Sequence, residues 1–471
     1  MPCIQAIKLP LPQTYCLLPT AQERNTMIID YPQKQRIGFT YVLDLLAPAS
    51  PYGRALLRKL RPFAPREVGA LQRELDAIEA ILSLSPALLA QIEEQFAQLR
   101  DIRGSLSRIG GALDEVDLFE IKCYLLILDA LGPLFARAGF ILAETLPALE
   151  LLDPEGNRVA SFAVSERFSP ALAEIRAEKR NALPDARADI IERERAEEEQ
   201  VMERLSAKLL PWKNALQQNA DSIAHIDLRI QKAKLARQYH CAKPAIGTHT
   251  LHFAGMVNPQ IANFTPLHIS LAPGATVLTG YNMGGKSVTL KTLALNVLLI
   301  HCGFYPFAES ASCPLFDQLY LVSEDLEDAT RSLSSFGGEV VRLREIAGGE
   351  GFALILLDEP ARGTNPAEGG AIARGLCAYL NAQKNISVIA THYEGVAARA
   401  NAHYRAAGLQ DIDIETLCRF PEAERPAQIA RHMDYGIAPV SPDQALPANA
   451  LMICRLLGLG EELMRYIISE T

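Results

Sequence analysis

The run Gly280-Tyr281-Asn282-Met283-Gly284-Gly285-Lys286-Ser287 has the spacing G-x-x-x-x-G-K-[ST], between the apolar Ala275–Thr279 and a helix-like Val288–Leu299. The chemistry this spacing serves is phosphate binding. Glycines let successive backbone N–H groups curl around phosphate oxygens, and the N-terminus of the following helix adds partial positive charge. A lysine at the position of Lys286 reaches the β- and γ-phosphates, and a hydroxyl at the position of Ser287 holds Mg²⁺. Val288 opens the helix behind them. A fortuitous glycine-rich turn is the alternative, and the strand and helix on either side argue against it.

A second acidic element lies downstream. Leu354-Ile355-Leu356-Leu357-Asp358-Glu359 is an apolar strand ending in two carboxylates, at the end where parallel α/β sheets hold their ligands. Asp358 would bind Mg²⁺ and Glu359 would polarise a water; the plainer reading is a pair of acids capping a helix. A third strand, Ile386–Ala390, ends in Thr391-His392 and brings an imidazole to the same edge. A single histidine is more often structural, but the order of phosphate loop, Asp-Glu and strand-terminal His favours contact with a γ-phosphate or its attacking water.

These groups require a sheet to hold them. After Pro244, short β-rich runs (Ala275–Thr279, Gln318–Val322, Ala353–Leu357, Ile386–Ala390) alternate with helical stretches, which predicts an α/β domain with a mainly parallel sheet. Before it, apolar residues recur at helical spacing: Leu56, Leu57 and Leu60; Leu71, Leu75 and Ile78; Leu126, Leu128 and Leu131. That predicts an all-α domain. Two charged helices follow, from about Ser169 to Asn181 and from about Ala188 toward Lys234, interrupted at Pro211. The run Glu192–Glu199 reads as a solvated face with mixed-sign pairing rather than a nucleic-acid contact. Residues 1–37, with Leu9-Pro10-Leu11-Pro12, suit an extended arm. Asn449–Ile468 suits an amphipathic helix with Met452, Leu456 and Met464 inward.

Composition narrows the class. With 46 Lys and Arg against 55 Asp and Glu, the net charge of −9 weakens a general nucleic-acid binder without removing a local basic stripe. The 9 cysteines contain no C-x-x-C pair, which points to reduced thiols rather than a disulfide framework or a zinc site. Apolar runs are too short for a bilayer and the start of the chain lacks the order of a signal peptide, so a cytoplasmic protein with no membrane partner is expected.

Together, Thr279–Ser287, Leu357-Asp358-Glu359-Pro360-Ala361-Arg362-Gly363-Thr364 and Ala390-Thr391-His392-Tyr393 resemble the MutS family of ABC-type ATPases. The likeness continues at Ser334-Ser335-Phe336 with Glu339, and in the helical region at Val42-Leu43-Asp44, Pro51-Tyr52-Gly53, Leu75-Asp76-Ala77-Ile78 and Leu106-Ser107-Arg108-Ile109. The resemblance implies ATP with Mg²⁺ as the bound cofactors. It also implies a homodimer with composite nucleotide sites, in which Ser334 acts in trans on the nucleotide of the other subunit. Ser334 as a plain cap of the next helix remains an alternative. It further implies Glu359, Lys286 and His392 as catalytic groups, Gly280 to Val288 as the nucleotide cradle, and Ser287 with Asp358 as metal ligands; the role of Arg362 stays open. The implied layout is an N-terminal arm at 1–37, a helical core at 38–168, lever helices at 169–245 and a P-loop ATPase domain at 246–471 that ends in a helical dimerisation segment.

Departures from the family pattern bear on function. A short stretch before the core leaves no place for mismatch-reading and connector domains, and only a turn fits between about Arg176 and Ile190, where a DNA clamp would stand. Tyr281 replaces the usual proline of the loop, and Ser332-Leu333 replaces a Gly-Arg pair. The expectation is a truncated member whose ATP turnover moves helical arms on a protein client, such as an adenosylcobalamin-dependent aminomutase in need of reactivation. DNA in mismatch repair or recombination is the alternative client.

Overall fold

A computed structural model of the chain describes residues 29–183, 187–280, 285–323, 335–409, 420–421, 424, 433–440, 459 and 461–469. Two compact units emerge among the described residues: a helical one from residues 46–60 and 77–234, and a β-containing one from residues 29–45, 61–76 and from 235 onward. No single helix among the described residues is long and apolar enough to cross a membrane.

The helical unit contains α3 (Pro51–Arg58), α5 (Pro86–Gln98), α6 (Arg103–Arg108), α7 (Glu115–Ala138), α8 (Leu146–Leu152), α9 (Pro170–Asn181) and α10 (Arg187–Leu209). It also holds the start of α11 (Lys213–Gln238). Helix α7 starts at a capping box, where Asp114 accepts from the Asp117 N–H, and stops at Gly139, whose φ of 75° suits a left-handed C-cap. Its Leu118, Ile121, Leu125, Leu128, Leu131 and Phe135 form one buried stripe at helical spacing. Phe135 meets both Phe96 of α5 and Phe140 edge-on. Of the residues that predicted this unit, Leu128 and Leu131 are buried, whereas Leu56, Leu57, Leu60 and Leu126 are half-buried.

The two charged helices form as expected, with residues 182–186 between α9 and α10 and a 3₁₀ turn, Leu210–Trp212, at Pro211. Pro184 and Asp185 lie outside the described residues. The acidic run pairs with cations of α9: Arg176 with Glu194 and Glu198, Lys179 with Glu194, and Arg193 with Glu178. Mixed-sign pairing therefore explains the charge, as the pattern suggested.

The second unit is built around a six-stranded sheet of order β10-β9-β4-β8-β7-β6. Its strands are β4 (Gly274–Thr279), β6 (Gln318–Val322), β7 (Ala353–Asp358), β8 (Ile386–Ala390), β9 (Ala402–Leu409) and β10 (Met433–Pro439). All neighbours are parallel except β10 against β9. Strands β4 and β8 are buried throughout, the state of a parallel strand covered on both faces. Helix α12 (Lys286–His301) is covered on nearly all sides, and Leu290 to His301 are buried except Lys291. Helices α13 (Ser335–Ala347) and α14 (Pro366–Asn381) complete the crossovers. A second sheet, β1-β5-β2-β3, comprises β1 (Ala245–Ile246), β2 (Leu251–Met256), β3 (Leu267–Leu271) and β5 (Ser310–Cys313). Helix α15 (Glu461–Ser469) includes the buried Met464; Met452 and Leu456 lie outside the described residues.

The N-terminal boundary differs from the sequence-based one. Residues 1–28 of the expected arm lie outside the described residues, but Tyr31–Arg36 form helix α1, because Asp30 and Gln33 make a reciprocal capping box and Pro32 suits a first turn. The Gln33 side-chain amide donates to the Leu321 carbonyl of β6 at 3.1 Å. Helix α2 (Phe39–Asp44) and the start of α4 (Val68–Leu82) belong to the same unit. Polar bonds explain the placement of 61–76. The Phe63 N–H donates to the His301 carbonyl at 2.7 Å, and the Tyr305 hydroxyl donates to the Leu75 carbonyl at 3.1 Å.

His301 joins this packing as a neutral ring. Its Nδ1 lies 3.2 Å from the Phe63 carbonyl and its Nε2 accepts from the Phe316 N–H at 3.3 Å, so the proton sits on Nδ1. Burial pulls the imidazole down from 6.5 to about 4. As pH falls below 6.5 the unfolded chain takes up a proton that the folded chain refuses. Stability from this group is therefore full above 6.5 and declines by about 3 kcal/mol as pH approaches 4. An NMR titration of the folded chain should show the His301 ring unprotonated at pH 5; titration near 6.5 would contradict this account.

Candidate phosphate site

Strands β4, β8 and β7 end side by side, with Leu278 opposite Ala390 and Ala390 opposite Asp358. Beyond these ends the ladder continues: the Thr391 N–H donates to the Leu278 carbonyl at 3.0 Å, and the Glu359 N–H to the Ala390 carbonyl at 2.8 Å. The residues that follow each strand are therefore gathered at one edge of the sheet.

Gly280 leaves β4 with φ 139°, and a side chain there would sit 2.9 Å from the Ala406 Cβ and 3.2 Å from its carbonyl oxygen, so only glycine fits. Gly285, at φ 88°, is the N-cap of α12. Tyr281, Asn282, Met283 and Gly284 lie outside the described residues. Lys286 is buried and its Nζ donates to the Gly280 carbonyl at 2.8 Å, closing the loop at its base. Ser287 and Val288 are half-buried at the first turn of α12, and the Val288 carbonyl accepts from the Thr292 hydroxyl at 2.7 Å.

Burial raises the carboxyl group of Asp358 above its usual value, while a hydrogen bond from Ser287 pulls it back. Glu359 adopts φ 51°, a left-handed conformation that costs a non-glycine residue of the order of 1–3 kcal/mol. Three basic side chains ring its carboxylate: Lys286 Nζ 3.4 Å from Oε1, and Arg362 and His392 Nδ1 at 3.5 and 3.7 Å from Oε2. His392 is itself about half exposed and tilts against Tyr393, with ring centroids 4.6 Å apart. The structure thus brings Lys286, Glu359 and His392 together, and Ser287 beside Asp358. Ser334 lies outside the described residues.

The donor set suits Mg²⁺ and a nucleotide. A hydroxyl beside a carboxylate is the hard-oxygen pairing that Mg²⁺ takes. Asp358 Oδ1 and Glu359 Oε2 are buried and make no hydrogen bond, Oε2 having only the longer contacts to Arg362 and His392, a state in which buried oxygens suit a ligand as partner.

Two features of this edge had no assignment from sequence. Arg362 turns out to face Glu359, a placement that its position three residues on allows. His403 of β9 lies with Nε2 2.7 Å from the Thr279 hydroxyl, just before the loop, and burial followed by the Arg405 charge pulls its imidazole down. No spacing signal in the sequence marks that pair.

Replacing Lys286 by Ala removes both the base of the loop and a cation of the Glu359 ring. Loss of binding to a fluorescent ATP analogue, with an unchanged circular-dichroism spectrum, is expected; near-native affinity would contradict the role of the loop.

Comparison with known proteins places this geometry. Residues 276–438 match the family MutS domain V. The chain is 30% identical over 273 residues to Endonuclease MutS2 of Symbiobacterium thermophilum, across 54% of this chain and 33% of that protein. It is 31% identical over 294 residues to Endonuclease MutS2 of Geobacillus thermodenitrificans, across 61% of this chain and 35% of that protein. A DNA mismatch repair protein MutS of Natronomonas pharaonis is 30% identical over 289 residues, 58% of this chain and 33% of the relative. The chain thus spans about a third of the length of the relatives it matches. The stretch that carries the phosphate-loop lysine, the Asp-Glu strand end and the strand-terminal histidine is thus similar to MutS domain V.

Proposed function

We propose that the chain binds ATP with Mg²⁺ and hydrolyses it, and that two copies share composite nucleotide sites. The observation that carries this reading is the Glu359 carboxylate at the end of β7, ringed by Lys286, Arg362 and His392 beside Asp358 and Ser287. Phosphoryl transfer to water depends on positioning and on charge stabilisation. Glu359 orients the attacking water and accepts its proton. Lys286 leaves its contact with Glu359 for the β- and γ-phosphate oxygens, which frees the carboxylate for that work. His392 contacts the γ-phosphate, and the backbone N–H groups from Gly280 to Val288 hold the rest of the chain of phosphates. Ser287 and Asp358 would hold Mg²⁺, which supplies charge neutralisation on the phosphates. Ser334 would reach the nucleotide of the second copy.

In the same reading residues 246–471 are the nucleotide-driven domain, and the helices of 169–245 are levers that act on a macromolecular client. A protein client, such as an adenosylcobalamin-dependent aminomutase, is favoured by the pairing of Arg176, Lys179 and Arg193 with carboxylates, since a nucleic-acid phosphate would have to displace those partners. DNA is the second reading. It is supported by relatives named as endonucleases and as a mismatch repair protein.

Replacing Glu359 by Gln should lower the steady-state ATPase rate by roughly 10²–10⁴-fold, the usual weight of a general base, while ATP still binds and holds the dimer. An unchanged rate removes Glu359 from the chemistry. ATPase assays with homoduplex, mismatched and branched DNA at low and physiological salt separate the clients. Stimulation by DNA that declines steeply with salt selects the DNA reading, whereas indifference to every DNA with stimulation by an inactivated aminomutase selects the protein reading.

A further inference from the structure

The turn that carries Glu359 is held from both sides by side chains with no assigned role. Glu359 and Ala361 both have left-handed backbones, at φ 51° and 65°, on either side of Pro360. Pro360 has no N–H to contribute, so the turn has few internal bonds of its own. Both backbone polar groups of Ala361 are instead taken by side chains from other elements. Its N–H donates to Glu339 Oε1 at 2.7 Å, and its carbonyl accepts from the Tyr393 hydroxyl at 3.2 Å. Glu339 stands on α13, the helix that follows the Ser334 segment, and Tyr393 directly follows His392. Gly369 of α14 makes room for this arrangement, because a Cβ there would collide with the Tyr393 hydroxyl and lie 2.8 Å from the Ala361 carbonyl oxygen.

We propose that Glu339 and Tyr393 are positioning residues that clamp Ala361 and thereby fix where the Glu359 carboxylate stands, so that hydrolysis depends on the docking of α13. A bond from a neutral N–H to an ionised carboxylate is among the stronger hydrogen bonds, and it opposes relaxation of two strained residues. Because α13 carries Glu339 a few residues after Ser334, a shift of that helix on engagement of a second copy alters the clamp on Glu359. The proposal rests on the hydrolytic reading above, with Glu359 as the group positioned.

The test uses the full chain with Glu339→Ala, Glu339→Gln and Tyr393→Phe. Glu339→Ala should lower kcat at least tenfold while KM and the affinity for a fluorescent ATP analogue stay within about twofold. Glu339→Gln keeps an acceptor for the Ala361 N–H and should recover most of the rate; Tyr393→Phe should fall between. In the Glu359→Gln background, Glu339→Ala should have no further effect, since the positioned group is gone. Amide exchange gives a readout independent of turnover: the Ala361 N–H should exchange at least tenfold faster in Glu339→Ala while β7 and β8 keep their protection. Unaltered Ala361 exchange, an unchanged kcat in Glu339→Ala, or a Gln variant as impaired as the Ala variant overturns the proposal. A wild-type chain that binds ATP without turnover overturns the hydrolytic reading, and the clamp is then decided by the exchange result.

Discussion

Everything at the phosphate edge depends on the register of three parallel strands. Leu278 of β4, Ala390 of β8 and Asp358 of β7 stand in one row, so the residues that follow them leave the sheet together. A slip of one residue in β7 would turn Asp358 to the opposite face. The strands themselves are nearly continuous apolar runs, which bury well in several registers and so do not select one. Asn385 supplies the selection at the start of β8. Its carbonyl accepts from the Gly274 N–H of β4 at 2.7 Å and its side chain from the Ala353 N–H of β7 at 2.9 Å, fixing both neighbours from one residue. Asn381 adds a bond from the Ala275 N–H at 3.0 Å. Polar groups at one end of the sheet thus set the alignment that chemistry requires at the other.

That alignment concentrates unfavourable features in a small volume. Two carboxylates adjoin in sequence, one raised by burial, and two non-glycine residues adopt left-handed backbones. Lys286 and Arg362 oppose the accumulation of negative charge, and the buried face of α12 with the filled strands β4 and β8 provides the stability that offsets it. Conflicts between local preference and adopted conformation are expected where function, rather than folding, selects the residues.

The row of side chains at the phosphate edge was legible in the sequence because its signals are local. A glycine pattern before a lysine, an Asp-Glu at the end of an apolar run and a histidine after another run each occupy consecutive positions. Strands β4, β6, β7 and β8 were legible for the same reason, as apolar runs bounded by turns. The second sheet was missed, although Leu267, Ile269 and Leu271 alternate with exposed His268 and Ser270 in the manner of a half-buried strand. Helix α1 was missed because its determinants are the cap at Asp30 and the bond from Gln33 to β6, the second of which no local pattern reveals. The clamp on Ala361 joins residues 339, 361 and 393, whose proximity is set by crossover connections rather than by spacing.

The helical unit follows a parallel logic, in which buried polar side chains of long helices serve as partners for loops. On α11, Asp227 accepts from the N–H groups of Ala49 and Ser50 and from the Ser50 hydroxyl, at 3.0, 2.7 and 2.6 Å, at the head of α3. Two turns earlier, Asn219 exchanges two hydrogen bonds with the backbone of Ala143, at 2.7 and 3.0 Å. On α10, Ser206 accepts from the Gly110 N–H and donates to the Gly111 carbonyl, at 3.1 and 2.7 Å. A loop whose backbone is satisfied by a helix side chain moves with that helix, since separation would leave buried polar groups unpaired at a cost of about 1–3 kcal/mol each. Two such ties on α11 and one on α10 therefore fasten these loops to their helices. A displacement of either helix would carry the loop fastened to it, and the bonded backbone groups would resist being left behind.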